Sequence, residues 1–159
     1  MKLRVNALSN LIAKLSNVSK LYGEGSLEVK ALDNLNLEVY QGDYLAVMGA
    51  SGSGKSTAMN IIGCLDRPTF GKYELNGNSV EKLTDDALAD LRNQELGFVF
   101  QQFHLLQDAT ALENVMLPLL YACIPLPERK ELAEAALKRV GLTDRMNNRP
   151  NQLSGGQQQ

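Results

Sequence analysis

The sequence predicts an α/β fold with a partly parallel sheet, and three observations carry that expectation. Short apolar runs bounded by turn residues occur at 44–48 and 97–101, as expected of strands buried on both faces. Segments of helical character alternate with the strand-like ones, the pattern of a sheet crossed by helices. A glycine-laden loop at 49–57 joins the first of those runs to a helix. The 159 residues make about one domain. With 44% hydrophobic and 21% charged residues, there is enough apolar surface to build a core.

The elements follow in order along the chain. Residues 34–40 alternate, with Leu35, Leu37 and Val39 on one face and Asn36, Glu38 and Tyr40 on the other. That is a half-buried strand. Gln41-Gly42 turns the chain into the apolar run 44–48, and residues 56–65 read as a helix. The stretch Arg67-Pro68-Thr69-Phe70-Gly71 breaks it. Residues 72–80 form a hairpin: Tyr73 and Leu75 alternate, and Asn76-Gly77 is the pair a type I′ turn prefers. Thr84 can cap a helix whose first turn carries Asp85 and Asp86, the charge sign that a helix start favours. Those two carboxylates are read as helix-start charges and not as a metal site.

Further on, 97–101 is a second buried strand. Thr110 and Glu113 form a capping box, so a helix starts at Ala111, and Pro118 kinks or ends it. Met116, Leu117, Leu119 and Leu120 read as core or as a subdomain interface. Pro125, Leu126 and Pro127 read as a loop between helices. Pro127 fits the first helical position and Gly141 the residue just past the end of that helix. The charges across 128–138 describe a solvated face.

Composition excludes several function classes. Sixteen basic and 18 acidic residues leave a net charge of −2, without the basic excess of a nucleic-acid binder. No run of 18 apolar residues exists to cross a bilayer. Near the N-terminus Asn6, Ser9 and Asn10 interrupt any hydrophobic stretch behind Lys2 and Arg4, against a secretory signal. Cys64 and Cys123 stand apart inside apolar runs and read as reduced core thiols of a cytosolic protein. With one histidine and two scattered cysteines, the chain cannot assemble four zinc ligands.

The chemistry is concentrated in Gly49, Ala50, Ser51, Gly52, Ser53, Gly54, Lys55, Ser56 and Thr57. These residues match the phosphate loop G-x-x-x-x-G-K-[ST], with an apolar run before and a helix after, as that motif requires. Glycines let the backbone take positive φ and turn its N–H groups inward. The helix start near Lys55 adds a partial positive charge. The Lys55 ammonium can reach the β- and γ-phosphates of a nucleotide. The Ser56 hydroxyl is expected to bind Mg²⁺, which neutralises those phosphates.

A phosphate loop alone leaves kinases, GTPases, helicases and transporter motors open. The residues Leu153, Ser154, Gly155, Gly156 and Gln157, flanked by Asn151-Gln152 and Gln158-Gln159, resemble the signature motif of ATP-binding-cassette (ABC) proteins. Gln101, after the apolar run Phe98-Val99-Phe100, is similar to that family's Q-loop glutamine. The resemblance covers essentially the whole chain from about residue 11. It implies a phosphate-loop NTPase core with an antiparallel β subdomain over about 11–101, and a Q-loop and helical subdomain over about 102–159. It also implies that Tyr22 stacks on adenine and that Gln101 touches Mg²⁺ and the attacking water. The signature of one ATP-binding subunit then closes over the phosphates held by a second in a head-to-tail dimer. Release after hydrolysis would drive a membrane permease from the cytoplasmic side of the membrane.

Within the family, residues 60–68, 101–106 and 111–115 resemble one branch, which serves lipoprotein release, macrolide efflux and heterocyst-type glycolipid export. Family members continue past the signature with an apolar strand ending in Asp-Glu, a D-loop and a switch histidine, and none of these follows Gln157 here. His104 lies in the Q-loop and reads as a surface loop residue. The expectation from this departure is a fragment or premature-stop product without catalytic residues of its own. In it, 44–48 would lack the strands that flank it. Two readings stay open beside the transporter ATPase: a soluble nucleotide kinase, and a catalytically dead binding or interaction module.

Overall fold

The computed structural model describes residues 10–159. The chain forms two compact units that divide between Arg92 and Asn93.

The first unit is built on a four-stranded sheet in the order β2-β1-β3-β4. It comprises β1 (Leu11–Tyr22), β2 (Val29–Tyr40), β3 (Phe70–Leu75) and β4 (Asn78–Ser79). Every pairing in it is antiparallel. The central strand β1 runs against β2 from Leu11↔Tyr40 to Tyr22↔Val29, and against β3 from Ala13↔Leu75 to Ser19↔Phe70. Its buried side chains are Ala13, Leu15, Val18 and Ser19. The step from Leu15 to Val18 breaks the two-residue alternation because Asn17 takes a left-handed conformation, φ 51°, where the register shifts. The Asn17 amide donates to Asn36 Oδ1 at 2.9 Å, and Asn36 Nδ2 donates back to Asn17 Oδ1 at 3.1 Å. Those two bonds strap the bulge to β2.

The hairpin forms as expected, with Asn76 and Gly77 at φ 46° and 79° between β3 and β4. Tyr73 is fully buried, and its hydroxyl donates to the Ile62 carbonyl at 2.7 Å. This bond ties the sheet to α1 (Lys55–Ile62), which anchors itself through buried Ala58 and Ile61. The helix stops three residues before the expected Leu65. Cys64 adopts φ 53°, its amide donates to the Ile61 carbonyl at 3.0 Å, and the Leu65 amide reaches back to Asn60 at 2.8 Å. That is the pattern by which a left-handed residue satisfies the last carbonyls and ends a helix. The first turn of α2 (Asp85–Glu95) is capped as expected: Thr84 Oγ1 accepts the Ala87 amide at 3.2 Å. Asp85 pairs with Arg67 at 2.7 Å.

The second unit contains α3 (Ala111–Tyr121), α4 (Leu126–Arg139) and the short α5 (Gly155–Gln158). The Thr110–Glu113 capping box is formed in both directions. Pro118 sits inside α3 without ending it. Pro125 is the cap of α4, so Leu126 and Pro127 open the helix and do not belong to the link. Gly141, at φ 74°, closes α4, and the Leu142 amide bonds the Leu137 carbonyl at 2.9 Å. Ala111, Leu137 and Leu153 form the core, with Leu112, Val115, Leu142 and Met146 packed against them. Met116, Leu117 and Leu119 are half-buried, whereas Leu120 is exposed.

Three expectations are corrected. Among the described residues, neither 44–48 nor 97–101 forms a strand; Tyr44 is 97% and Val99 86% exposed. An apolar run becomes a strand only beside a partner, and the sheet among the described residues has none for either run. The parallel pairing expected from them is accordingly not made. Cys123 is exposed, not in the core, because it occupies the left-handed position that terminates α3, at φ 56°. Cys64 is buried as expected, and both thiols are free.

Candidate functional site

The phosphate-loop residues lie between β2 and α1. Gly54 is the cap of α1 at φ 82°, ψ 8°, a conformation that glycine adopts without steric cost. A Cβ there would collide with the Ala31 carbonyl oxygen of β2 and come within 3.0 Å of Leu32 Cδ2. The helix start is thus seated directly on the sheet. The Ala58 amide donates to the Gly54 carbonyl at 2.8 Å. The amides of Lys55, Ser56 and Thr57 precede that bond, so they have no acceptor one helical turn back. They add to the positive end of the helix dipole. Within the loop, the Ser53 amide closes a turn on the Ala50 carbonyl at 3.3 Å. The Lys55 ammonium folds over the loop and donates to the Gly49 and Ala50 carbonyls at 3.0 and 2.5 Å. Among the described residues it has no carboxylate partner. The loop therefore carries an uncompensated positive charge above a row of donors, a geometry that attracts a polyphosphate. Ser51, Gly52, Ser53 and Ser56 are exposed around it.

Tyr22 ends β1 in the same unit. Its hydroxyl donates to Asp66 Oδ2 at 2.7 Å. The hydrogen bond to Asp66 and partial burial raise the phenol above its ordinary pKa. Lys20 lies over the Tyr22 ring, 4.9 Å from its centroid. The Lys20 ammonium donates to Asp66 Oδ1 at 2.6 Å and to the Arg67 carbonyl at 2.9 Å. Burial pulls the Asp66 carboxyl up, but the bonds from Lys20, Tyr22 and the Arg67 amide outweigh it and hold the group below the usual carboxylate range. Lys20 and Asp66 were not singled out by sequence reasoning. Only the fold brings residues 46 positions apart together.

Gln101 and the signature residues belong to the second unit. Gln101 is exposed in a bend, between Phe100, whose ring contacts His104 at 4.7 Å, and Phe103. His104 is exposed in that loop as expected. Leu153 is buried in the core of this unit. Ser154 caps α5: its Oγ accepts the Gln157 amide at 3.4 Å, while the Ser154 amide donates to Gln157 Oε1 at 2.9 Å. Gln158 Nε2 braces the turn by donating to the Pro150 and Leu153 carbonyls at 2.9 and 3.0 Å. Gly155 is exposed on the first turn. Among the described residues no group of three or more His, Cys, Asp or Glu side chains could hold a metal ion. The neutral hydroxyl of Ser56, exposed on the first turn of α1, suits a hard cation that brings phosphate ligands with it.

The family model of the ABC transporter matches residues 32–159. The chain belongs to the ABC transporter family. It corresponds to part of the ATP-binding domain of that family. An uncharacterised ABC transporter ATP-binding protein of Thermotoga maritima is 51% identical over 93% of this chain and 63% of its own length. YknY of Bacillus subtilis, another ABC transporter ATP-binding protein, is 53% identical over 92% of this chain and 64% of its own length. A macrolide export ATP-binding/permease protein, MacB of Vibrio parahaemolyticus, is 46% identical over 96% of this chain and 23% of its own length.

The solved dimeric post-hydrolysis structure of the ATP-binding cassette MJ0796, bound to ADP and Pi, matches with a TM-score of 0.81 and 46% identity. It covers 92% of this ABC domain and 65% of that chain. The fold is therefore that of an ABC ATPase core. The domain spans just under two thirds of the cassettes it matches. Among the described residues no helix is long and apolar enough to cross a membrane.

Proposed function

We propose that this ABC domain grips the polyphosphate of ATP in the loop from Gly49 to Thr57 and works as the nucleotide-binding part of an exporter. The observation that carries the reading is the Lys55 ammonium, without a carboxylate partner among the described residues, beside the α1 amides that have no helical acceptor. An anion with several oxygens satisfies the cation and the amides at once. Tyr22 offers a ring to the adenine. Ser56 and Gln101 are the residues that would hold Mg²⁺, which would offset phosphate charge when bound. Ser154, Gly155, Gly156 and Gln157, with Leu153 as their buried anchor, would close over the phosphates of a second ATP-binding subunit in a head-to-tail pair. Nucleotide then bridges the two subunits, and its hydrolysis separates them. That cycle of closure and release is the step that would move a membrane permease, with this domain on the cytoplasmic face. The branch resemblance and the likeness to MacB support export as its direction.

The test is assembly in the full chain. With a non-hydrolysable ATP analogue and Mg²⁺, light scattering should report twice the mass seen without nucleotide, and Ser154→Tyr should abolish the doubling. Equal masses with and without nucleotide would defeat the head-to-tail reading.

A further inference from the structure

Asp66 lies outside the phosphate loop, yet three polar groups converge on its carboxylate. One is the Tyr22 hydroxyl at 2.7 Å, one the Lys20 ammonium at 2.6 Å, and one the Arg67 amide at 2.7 Å. Lys20 is held from two sides, by Asp66 and by the Arg67 carbonyl, and only 13% of its side chain is exposed. Its ammonium lies over one face of the Tyr22 ring, while Tyr22 as a residue remains 41% exposed. One ring face is therefore occupied by a cation, and the residue keeps exposed surface for a ligand.

We propose that Asp66 is a positioning residue for nucleotide binding: it fixes Tyr22 by its hydroxyl and fixes Lys20 beneath the ring, leaving exposed surface on which a nucleobase stacks. The proposal rests on the reading of Tyr22 as the base platform. An exposed tyrosine on a strand end samples several rotamers, and ordering it costs entropy whenever a base binds. The Asp66 carboxylate removes that freedom before the ligand arrives. Stacking needs only a π-face, and the device therefore favours nucleotides over bare polyphosphate without selecting a particular purine.

The experiment is isothermal calorimetry on the full chain with MgATP and, separately, with magnesium tripolyphosphate, which has no base. Tyr22→Phe keeps the ring and removes the hydroxyl; Asp66→Asn keeps the size and removes the charge. Each should weaken ATP binding about fivefold, the worth of one such hydrogen bond, and the double variant should be no weaker than the poorer single one. Tripolyphosphate binding should be unchanged in all three. Equal losses for ATP and tripolyphosphate would show a merely structural role and overturn the proposal, as would fully multiplicative effects in the double variant. Tyr22→Ala separates the two layers of the argument. If it weakens ATP binding while Tyr22→Phe and Asp66→Asn do nothing, the platform stands and the positioning role falls. If it has no effect, Tyr22 is not a platform and both fall.

Discussion

Substituting Gly54 by alanine should damage the first unit far more than the same change at Gly52. Both glycines lie in the left-handed region, at φ 82° and 78°, where a side chain costs about 1–2 kcal/mol. They differ in what a Cβ meets. At Gly52 nothing lies within 4 Å, whereas at Gly54 the Cβ strikes the Ala31 carbonyl oxygen and nears Leu32. That oxygen is backbone in β2 and cannot yield without moving the strand. Overpacking of this kind costs about 1–3 kcal/mol beyond the conformational term. Gly54→Ala should therefore lose about 2–5 kcal/mol, a large part of the ~5–15 kcal/mol by which domains are stable. Urea unfolding of both variants, followed by circular dichroism, isolates the steric part as the difference between them. If the two midpoints coincide, the seating of α1 on β2 through Gly54 is wrong.

Other substitutions test the rest of the structure. Thr110→Ala removes the side-chain acceptor of the Glu113 amide and should destabilise by about 1 kcal/mol, read as a fall of about 2–4 °C in Tm. The Asp66 carboxyl is held below its ordinary range in the folded protein. Its contribution is therefore present above the unfolded carboxylate value, about 3.9, and is lost as pH falls through the lower folded value. The gap in urea midpoint between the natural protein and Asp66→Asn should accordingly be open at pH 7 and shrink below pH 4; a constant gap would contradict this. Cys123 should react with a maleimide in the native state. Cys64, buried with its thiol pushed up by that burial, should react only in denaturant, and mass spectrometry counts one adduct and then two.

What was legible in the sequence was mostly local. The Thr110–Glu113 box, the Thr84 cap, the Asn76-Gly77 turn and Gly141 behind α4 are each read within four residues, and each formed as expected. β1 carries no local strand signature. The left-handed Asn17 stretches the spacing between Leu15 and Val18 to three, so its buried face lacks the two-residue period that marks a strand. Residues 44–48 and 97–101 show the opposite failure. Their composition suits burial, but whether a strand forms depends on partners that composition does not name. In the site, the phosphate loop is a contiguous motif and could be read directly. Lys20 and Asp66 are joined to Tyr22 only by the antiparallel sheet and the turn after α1, so no local pattern announced them.

Calorimetric titration of the full chain with MgATP, for the natural protein and for Lys55→Ala, addresses the phosphate grip most directly. Losing an ammonium that meets polyphosphate should weaken binding about 30-fold or more, with measurable heat in the natural protein. Equal affinity for the two proteins, or no heat from the natural one, would contradict the assignment of the loop from Gly49 to Thr57 as the nucleotide site.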